Sequence, residues 1–545
     1  MVRFPTLDGA TREATLAMRD YWTLRAFKDR MVDEDFPLPD DAKEVKRLHD
    51  RLKRHAGRAA TDPSRRFDAT PLQGWHGDEA FVCGDRVLPE GAPVVFLAAD
   101  GVTYPRVERR GTFAGWRDGV AALLPCSSRL TLDACGGLAS ALLRVWRGTL
   151  KGFGFNKSGK SRRGKSLGLR LVCSTIGPPD LEGWNQSRSG VAERLMGHRG
   201  LPLVLDDTAD ARPDGKGTAS IVDQVTGLVA LGRPDGLHHG SVGELQKAGV
   251  GFQSILLSTT EGALPPRRRG LQARLVEIPL PANGFGVIDY PELCQPPVRD
   301  DASAGRWVEA GDQAMRDHHG HAYPRFVRGL LKLGGALEAE VRALEEVFRA
   351  ATPEADGDAW ARSVRESFAL AYAAGALACR FGIFPFAADV VLDRLRRCLL
   401  DALARADAPA VAAAAQAEAD AEAIRRWLHA HWAGRVSIGN QPPDASAARR
   451  RGILTAKDGD GSWSCLVRKA TLAEAVPDPT RLDAALRLIA GRGGLRPGDG
   501  DGNLTRQRRL ADGTKARFLF FTITFGRPKT ADRPQAPDAR PGGKT

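Results

Sequence analysis

The octamer Gly159-Lys160-Ser161-Arg162-Arg163-Gly164-Lys165-Ser166 fits the pattern G-x-x-x-x-G-K-[ST]. Such a loop makes a firm demand on the fold. Its glycines let backbone N–H groups face a phosphate, and its lysine closes over that phosphate. It works only where a buried strand runs in and a helix runs out with its N-terminus toward the anion. GFGF, directly upstream, suits the strand, and SLGLRLVCSTIG, starting at Ser166, suits the helix. With 60 glycines in 545 residues the octamer alone is weak evidence, so the neighbouring segments decide.

Those segments agree. From 151 to about 281 strand-like and helix-like stretches alternate, the pattern of an α/β core with a largely parallel sheet. In a nucleotide site Lys165 would reach the β- and γ-phosphates of ATP and Ser166 would bind Mg²⁺. LPLVLDD is an apolar strand ending in acid, which brings carboxylates to the sheet's carboxyl edge. Asp206 would serve the metal's outer shell, and Asp207 would be the base or water-orienting group. The plainer alternative is a buried strand entering an Asp-rich turn. FQSILLSTTEG is a third strand, whose Ser258, Thr259 or Glu261 would sense the γ-phosphate or simply form a polar turn. In GLQARLVEIPLP, Arg274 precedes an apolar strand and is a candidate arginine finger for a neighbouring subunit's nucleotide, or else a surface arginine at a helix end.

The whole chain is too long for one compact core. The expected layout is α/β: a P-loop NTPase (AAA+-like) core with a parallel sheet, preceded by a small α+β domain and followed by a helical lid and a C-terminal winged-helix-like module. Its segments are an N-terminal helical extension (1–66), the small α+β domain (67–150), the ATPase core (151–300), the lid (301–400), an Ala-rich helix or linker (401–435), the basic winged-helix-like domain (436–525) and a disordered tail (526–545). Around 78–110 three short strands are expected, including VTYPRVERR, and Thr112 is placed to cap a helix.

Net charge is +13, and +9 of it falls in residues 441–545. That distribution points to a polyanionic partner for the tail, with Arg449, Arg450, Arg451, Arg506, Arg508 and Arg509 as phosphate-binding candidates; a charge run is otherwise a solvated face. The eight cysteines lie scattered with no C-x-x-C pair, as expected of free, mostly buried thiols. His318-His319-Gly320-His321 lacks a matching ligand set and reads as a loop rather than a metal site. No apolar run is long enough for a membrane span and the N-terminus lacks a signal layout, so a cytoplasmic protein without a membrane partner is expected.

Taken in order, RGTFAGWRDGVAALLPCSSRLTLDACGGLASALL, the GxSxxGKS loop, LVLDD, LLSTTE, the arginine before EIPLP, and SFALAYAAGALACRFGIFP resemble the Cch-like helicase ATPases of mobile genetic elements, also described as the domain of unknown function 927 family and as helicases "and inactivated derivatives". The resemblance spans roughly Phe81 to Pro385. It implies an AAA+-type ATPase related to replicative ring helicases, a homo-hexamer acting on single-stranded or forked DNA with low sequence specificity, and ATP with Mg²⁺ at the site. It carries over to Gly159–Ser166 as the phosphate loop, Asp206 and Asp207 as the acidic pair, Ser258 and Thr259 as the sensor strand, and Arg274 as the finger. By analogy it also makes Arg365 or Arg362 a second sensor from the lid. Where ring helicases of this design carry a channel hairpin, this chain has a segment with Gly236, His238, His239 and Lys247, equally readable as a surface loop.

Two features depart from the family. Its acidic strand usually ends Asp-Glu, whereas this chain has Asp206-Asp207, and its loop rarely carries charges such as Lys160, Arg162 and Arg163. The leading reading is an ATP-driven DNA helicase or translocase. The alternatives are a catalytically weak, nucleotide-dependent DNA-binding switch or scaffold, and a small-molecule kinase, which would need neither the paired aspartates nor the finger.

Overall fold

The computed structural model describes residues 2–6, 11–14, 21–60, 67–99, 102–208, 221–233, 251–262, 264, 269–439, 442, 453–457, 463–496, 498 and 503–522. The chain divides into two compact units, Met1–Ala406 and Asp407–Thr545.

The first unit opens with an antiparallel pair, β1 (Val2–Pro5) and β2 (Thr11–Ala14), then α1 (Leu24–Asp33) and α2 (Ala42–Ala60), around a small core of Phe4, Phe27, Met31 and Val45. Short strands follow: β3 (Asp68–Thr70), β4 (Gly74–His76), β5 (Ala80–Cys83), β6 (Arg86–Leu88) and β7 (Val94–Phe96). β4, β5 and β6 form one antiparallel sheet, and β3 pairs parallel with β7. The strand expected from VTYPRVERR is absent; apart from an isolated bridge at Arg110 that segment is irregular. Thr112 does cap α3 (Phe113–Gly119), its side chain accepting from the Gly115 N–H. Next comes α4 (Ser128–Ala139), all twelve of whose residues are buried.

The central sheet contains β8 (Phe153–Gly159), β9 (Leu203–Leu205), β10 (Ile255–Glu261) and β11 (Leu275–Pro279), in the order β11-β8-β10-β9, all parallel. Between them run α5 (Lys165–Ile176), α6 (Arg188–Gly197), α7 (Ile221–Leu231) and α8 (Arg269–Arg274). Parallel sheets of this kind are covered on both faces, so β8 and β10 are buried along nearly their whole length rather than in alternation, polar residues at their carboxyl ends included. Phe153, Phe155 and Leu257 enter the main core beside α4 and α5, while Leu203, Leu256 and Leu275 enter a second core with α6 and α7. The 301–400 region is helical as expected: α9 (Asp301–Asp317), α10 (Ala322–Leu333), α11 (Leu337–Ala350), α12 (Ala359–Arg380) and the start of α13 (Ala388–His431).

The Ala-rich stretch at 401–423 is not a break between helices. It lies inside the 44-residue α13, consistent with the high helix propensity of alanine. The second unit contains the end of that helix, β12 (Val436–Gly439), β13 (Leu454–Lys457), β14 (Trp463–Val467), α14 (Pro479–Gly491), β15 (Arg506–Arg509) and β16 (Lys515–Phe521). Among the described residues its sheet has five strands in the order β12-β13-β14-β16-β15, where the sequence suggested two around a helix. Ile424, Trp427 and Leu428 of α13 join Leu482, Leu486 and Phe521 in its core. No helix among the described residues is long and apolar enough to cross a membrane.

Candidate active site

The carboxyl ends of β8, β9 and β10 open into a cleft of 440 Å³, lined on one side by Ser161, Arg162, Gly164, Lys165 and Ser166 and on the other by Asp206, Asp207, Thr259 and Glu261. The position follows from the topology, since ligands of open parallel sheets sit beyond the carboxyl ends of the strands. The loop leaves β8 at Gly159 and turns into α5 through Gly164, whose φ of 84° lies in the left-handed region. A β-carbon there would stand 2.8 Å from Cγ2 of Val287, so the position admits only glycine without rearrangement. The Val287 N–H donates to the Arg163 carbonyl at 2.9 Å, which ties the loop to the turn at 285–288. Arg162 also adopts a positive φ, 56°.

Lys165 is the first residue of α5 and is 8% exposed. Its Nζ donates to the carbonyls of Gly159 and Lys160, both at 2.7 Å. Burial lowers its pKa, opposed by the negative charges of Glu261, Asp207 and Asp206. One buried ammonium thus stands across the cleft from three carboxylates, beside the unpaired N–H groups of a helix start.

Thr259 organises the acidic side. Its hydroxyl donates to Asp206 Oδ1 at 2.5 Å and accepts from the Asp207 N–H at 3.1 Å. Asp206 is held from below as well, its N–H donating to the Glu182 carbonyl at 2.7 Å. Asp207 has a φ of 51°, a conformation that aspartate tolerates better than most residues and that recurs at functional sites as well as in turns.

The sequence named three residues on β10, and the pleat separates them. Thr259 and Glu261 line the cleft, whereas Ser258 points to the opposite face and its Oγ accepts from Trp184 Nε1 at 3.1 Å. Lys160 and Arg163 are exposed, and Arg163 pairs with Asp301 at 3.0 Å. Arg274 ends α8, half-buried, outside the residues that line the cleft and without an ion-pair or hydrogen-bond partner among the described residues. Arg365 is not brought to the cleft. It is buried in α12 and donates to Asp356 at 2.5 Å and to the Thr352 carbonyl, while Arg362 donates to the Asp356 carbonyl. The polar wall that sequence reading missed comes from α9: Glu309, Asp312 and Arg316 face the cleft, with Asp312 accepting from Arg170 at 3.1 Å and from Arg316 at 3.0 Å. Their i, i+3, i+7 spacing marks one helix face, although nothing in the sequence says which face meets the loop.

His238, His239, Lys247 and Arg449, Arg450 and Arg451 lie outside the described residues. Arg506, Arg508 and Arg509 do not form one patch. On β15 the pleat sends Arg506 and Arg508 to one face and Arg509 to the other, and Arg506 sits over the Phe520 ring at 5.7 Å. All eight cysteines are free, and six are buried. Among the described residues no group of three or more His, Cys, Asp or Glu is arranged to hold a metal, and His318 and His321 instead engage backbone at Thr112 and Arg110.

Residues 38–222 match the family model described as Domain of unknown function (DUF927), a span that includes the loop, α5 and the Asp206-Asp207 pair. No curated protein matches the chain. Among solved structures, one described as "SCCmec type IV Cch - active helicase" is similar over 92% of this chain and 87% of its own, with a TM-score of 0.54 and 14% sequence identity. A mixed α/β chain with a parallel sheet, this protein is therefore similar to the DUF927 family over its first part and, over most of its length, to a helicase in fold.

Proposed function

We propose that the cleft binds ATP with Mg²⁺ and hydrolyses it to drive movement along DNA, as in a P-loop NTPase of the AAA+-like, ring-helicase design. The single observation that carries this reading is that Lys165, at the start of α5, shares one cleft with Thr259 of β10 and with Asp206 and Asp207, which follow the neighbouring parallel strand β9. Phosphates entering the cleft would displace the Gly159 and Lys160 carbonyls from Lys165 and meet the first N–H groups of α5. Ser166 and Asp206 offer a hydroxyl and a carboxylate, the hard oxygen donors that suit Mg²⁺ beside phosphate. The ion would contribute neutralisation of phosphate charge. Asp207, positioned by its backbone bond to Thr259, would accept a proton from the attacking water or orient it.

Under this reading α9–α12 form the lid, Arg274 acts on the nucleotide of a neighbouring copy, and the second unit, read in sequence as a basic winged-helix-like module, loads DNA. Arg316 replaces Arg365 as the lid-side arginine nearest the phosphates. The test mixes two inactive proteins. Lys165→Ala and Arg274→Ala variants combined should regain hydrolysis, because one interface type then pairs an intact loop with an intact finger. No recovery, with both variants still associating, would sink the shared-site arrangement. The switch reading is favoured by Asp207 being one methylene shorter than glutamate, and it predicts nucleotide binding without turnover.

A further inference from the structure

A second concavity, of 520 Å³, lies between α10, the end of α12 and the segment leading into α3, and none of its lining residues belongs to the nucleotide cleft. Arg325, Arg328 and Lys332 project from one face of α10 at i, i+3 and i+7, and Arg109 joins them from the segment before α3. Among the described residues no carboxylate lines the pocket. Arg380, at the rim, pairs with Glu340 at 2.8 Å, but Arg109, Arg328 and Lys332 have no ion-pair or hydrogen-bond partner among the described residues. Elsewhere the arginines of this unit are commonly paired, as at Arg129, Arg349 and Arg170. The pKa of Arg109 is lowered, first by burial and then by the positive charges of Arg86 and Arg328, with Glu90 opposing.

Two phenylalanine rings, Phe113 and Phe381, stand among these cations. Arg325 lies over the Phe113 ring at 4.3 Å, and the Phe381 ring packs so closely on Gly329 that a β-carbon there would stand 2.4 Å from it. Cations interleaved with ring faces match the chemistry of an unpaired nucleic-acid strand, whose phosphates need charge and whose bases need something to stack on. A free small phosphate would have no use for the rings.

We propose that this pocket is a binding site for single-stranded nucleic acid, with Arg325, Arg328, Lys332 and Arg109 holding backbone phosphates and Phe113 and Phe381 contacting bases. Only the choice of polyanion rests on the proposed function; the site is separate from the cleft. The test measures fluorescence anisotropy of a labelled oligothymidylate with the full chain across a salt series, without ATP. Neutralising three contacts in R325Q/R328Q/K332Q should reduce the log–log salt slope by about 2 and weaken binding on the order of a hundredfold at ~50 mM salt. The charge-retaining R325K/R328K/K332R should keep the slope, and unchanged urea denaturation of both variants would show that the fold is intact. Parent binding that R325Q/R328Q/K332Q leaves undiminished overturns this site but not the proposed function. A parent that binds no oligothymidylate overturns this site, while the proposed function is tested separately by DNA-stimulated hydrolysis. Tripolyphosphate binding at this pocket with no oligothymidylate contact overturns the nucleic-acid assignment.

Discussion

Removing Asp133 should destabilise the first unit far more than removing Asp133 and Lys157 together. Lys157 lies on β8 two residues before Gly159, and its Nζ contacts the Asp133 carboxylate of α4, with both side chains 1% exposed. Gly168 of α5 makes room for the pair, because a β-carbon there would stand 1.8 Å from Asp133 Oδ2. Burial pushes the Asp133 carboxyl up and Lys157 only partly pulls it back, so desolvation outweighs the attraction within the pair. Asp133→Ala leaves an ammonium buried without its counter-charge, at a cost of about 3–5 kcal/mol. Asp133→Leu with Lys157→Met replaces both charges by apolar groups and should be neutral or stabilising by about 1–4 kcal/mol. Urea denaturation of the full chain reads the difference as a shift in the transition of the first unit. A cost below about 1 kcal/mol for Asp133→Ala, or a double variant as weak as the single, would refute this account of the pair.

Three further outcomes are expected. Burial pushes His198 from its ordinary 6.5 down to about 4, so on acidification the unfolded chain takes up a proton that the folded chain refuses. Stability should therefore fall as pH drops from 6.5 toward 4, by up to about 3 kcal/mol, and His198→Gln should flatten that slope in pH-dependent melts. Lys165 has a lowered pKa in the free protein and phosphate would raise it, so the bound state holds more protons; calorimetric ATP affinity should decline as pH rises through the free-state pKa, and Lys165→Arg should lose that decline. Thr259→Val removes the hydroxyl that holds Asp206 and the Asp207 N–H, and should lower kcat up to about a hundredfold while ATP still binds, as single-turnover assays would show.

Local features of the site were legible because their causes are local. The strand-loop-helix around Gly159–Ser166, the Thr112 cap and the apolar strand before Asp206 each follow from a few adjacent residues. Strand parity on β10 was also available, but its phase was not: only the placement of the cleft assigns Thr259 inward and Ser258 to Trp184. Arg365 illustrates the limit of analogy. Its spacing in α12 is compatible with a sensor, yet the turn at Pro353–Asp356 returns an aspartate to it, a tertiary pairing that no helix periodicity encodes. The α9 wall and the basic face of α10 were invisible for the same reason, since each needs two distant segments to meet. In the second unit the short strands β12 and β13 flank residues without apolar alternation, so the sequence disclosed only the more apolar β14 and β16.

The most direct measurement is steady-state ATP hydrolysis by the full chain with Mg²⁺, with and without single-stranded DNA, beside Lys165→Ala and Asp207→Asn. The account predicts turnover that DNA stimulates and that both variants lose, with Asp207→Asn still binding ATP. Turnover retained in Lys165→Ala, or ATP bound but not hydrolysed by the parent protein with DNA present, would contradict the motor reading.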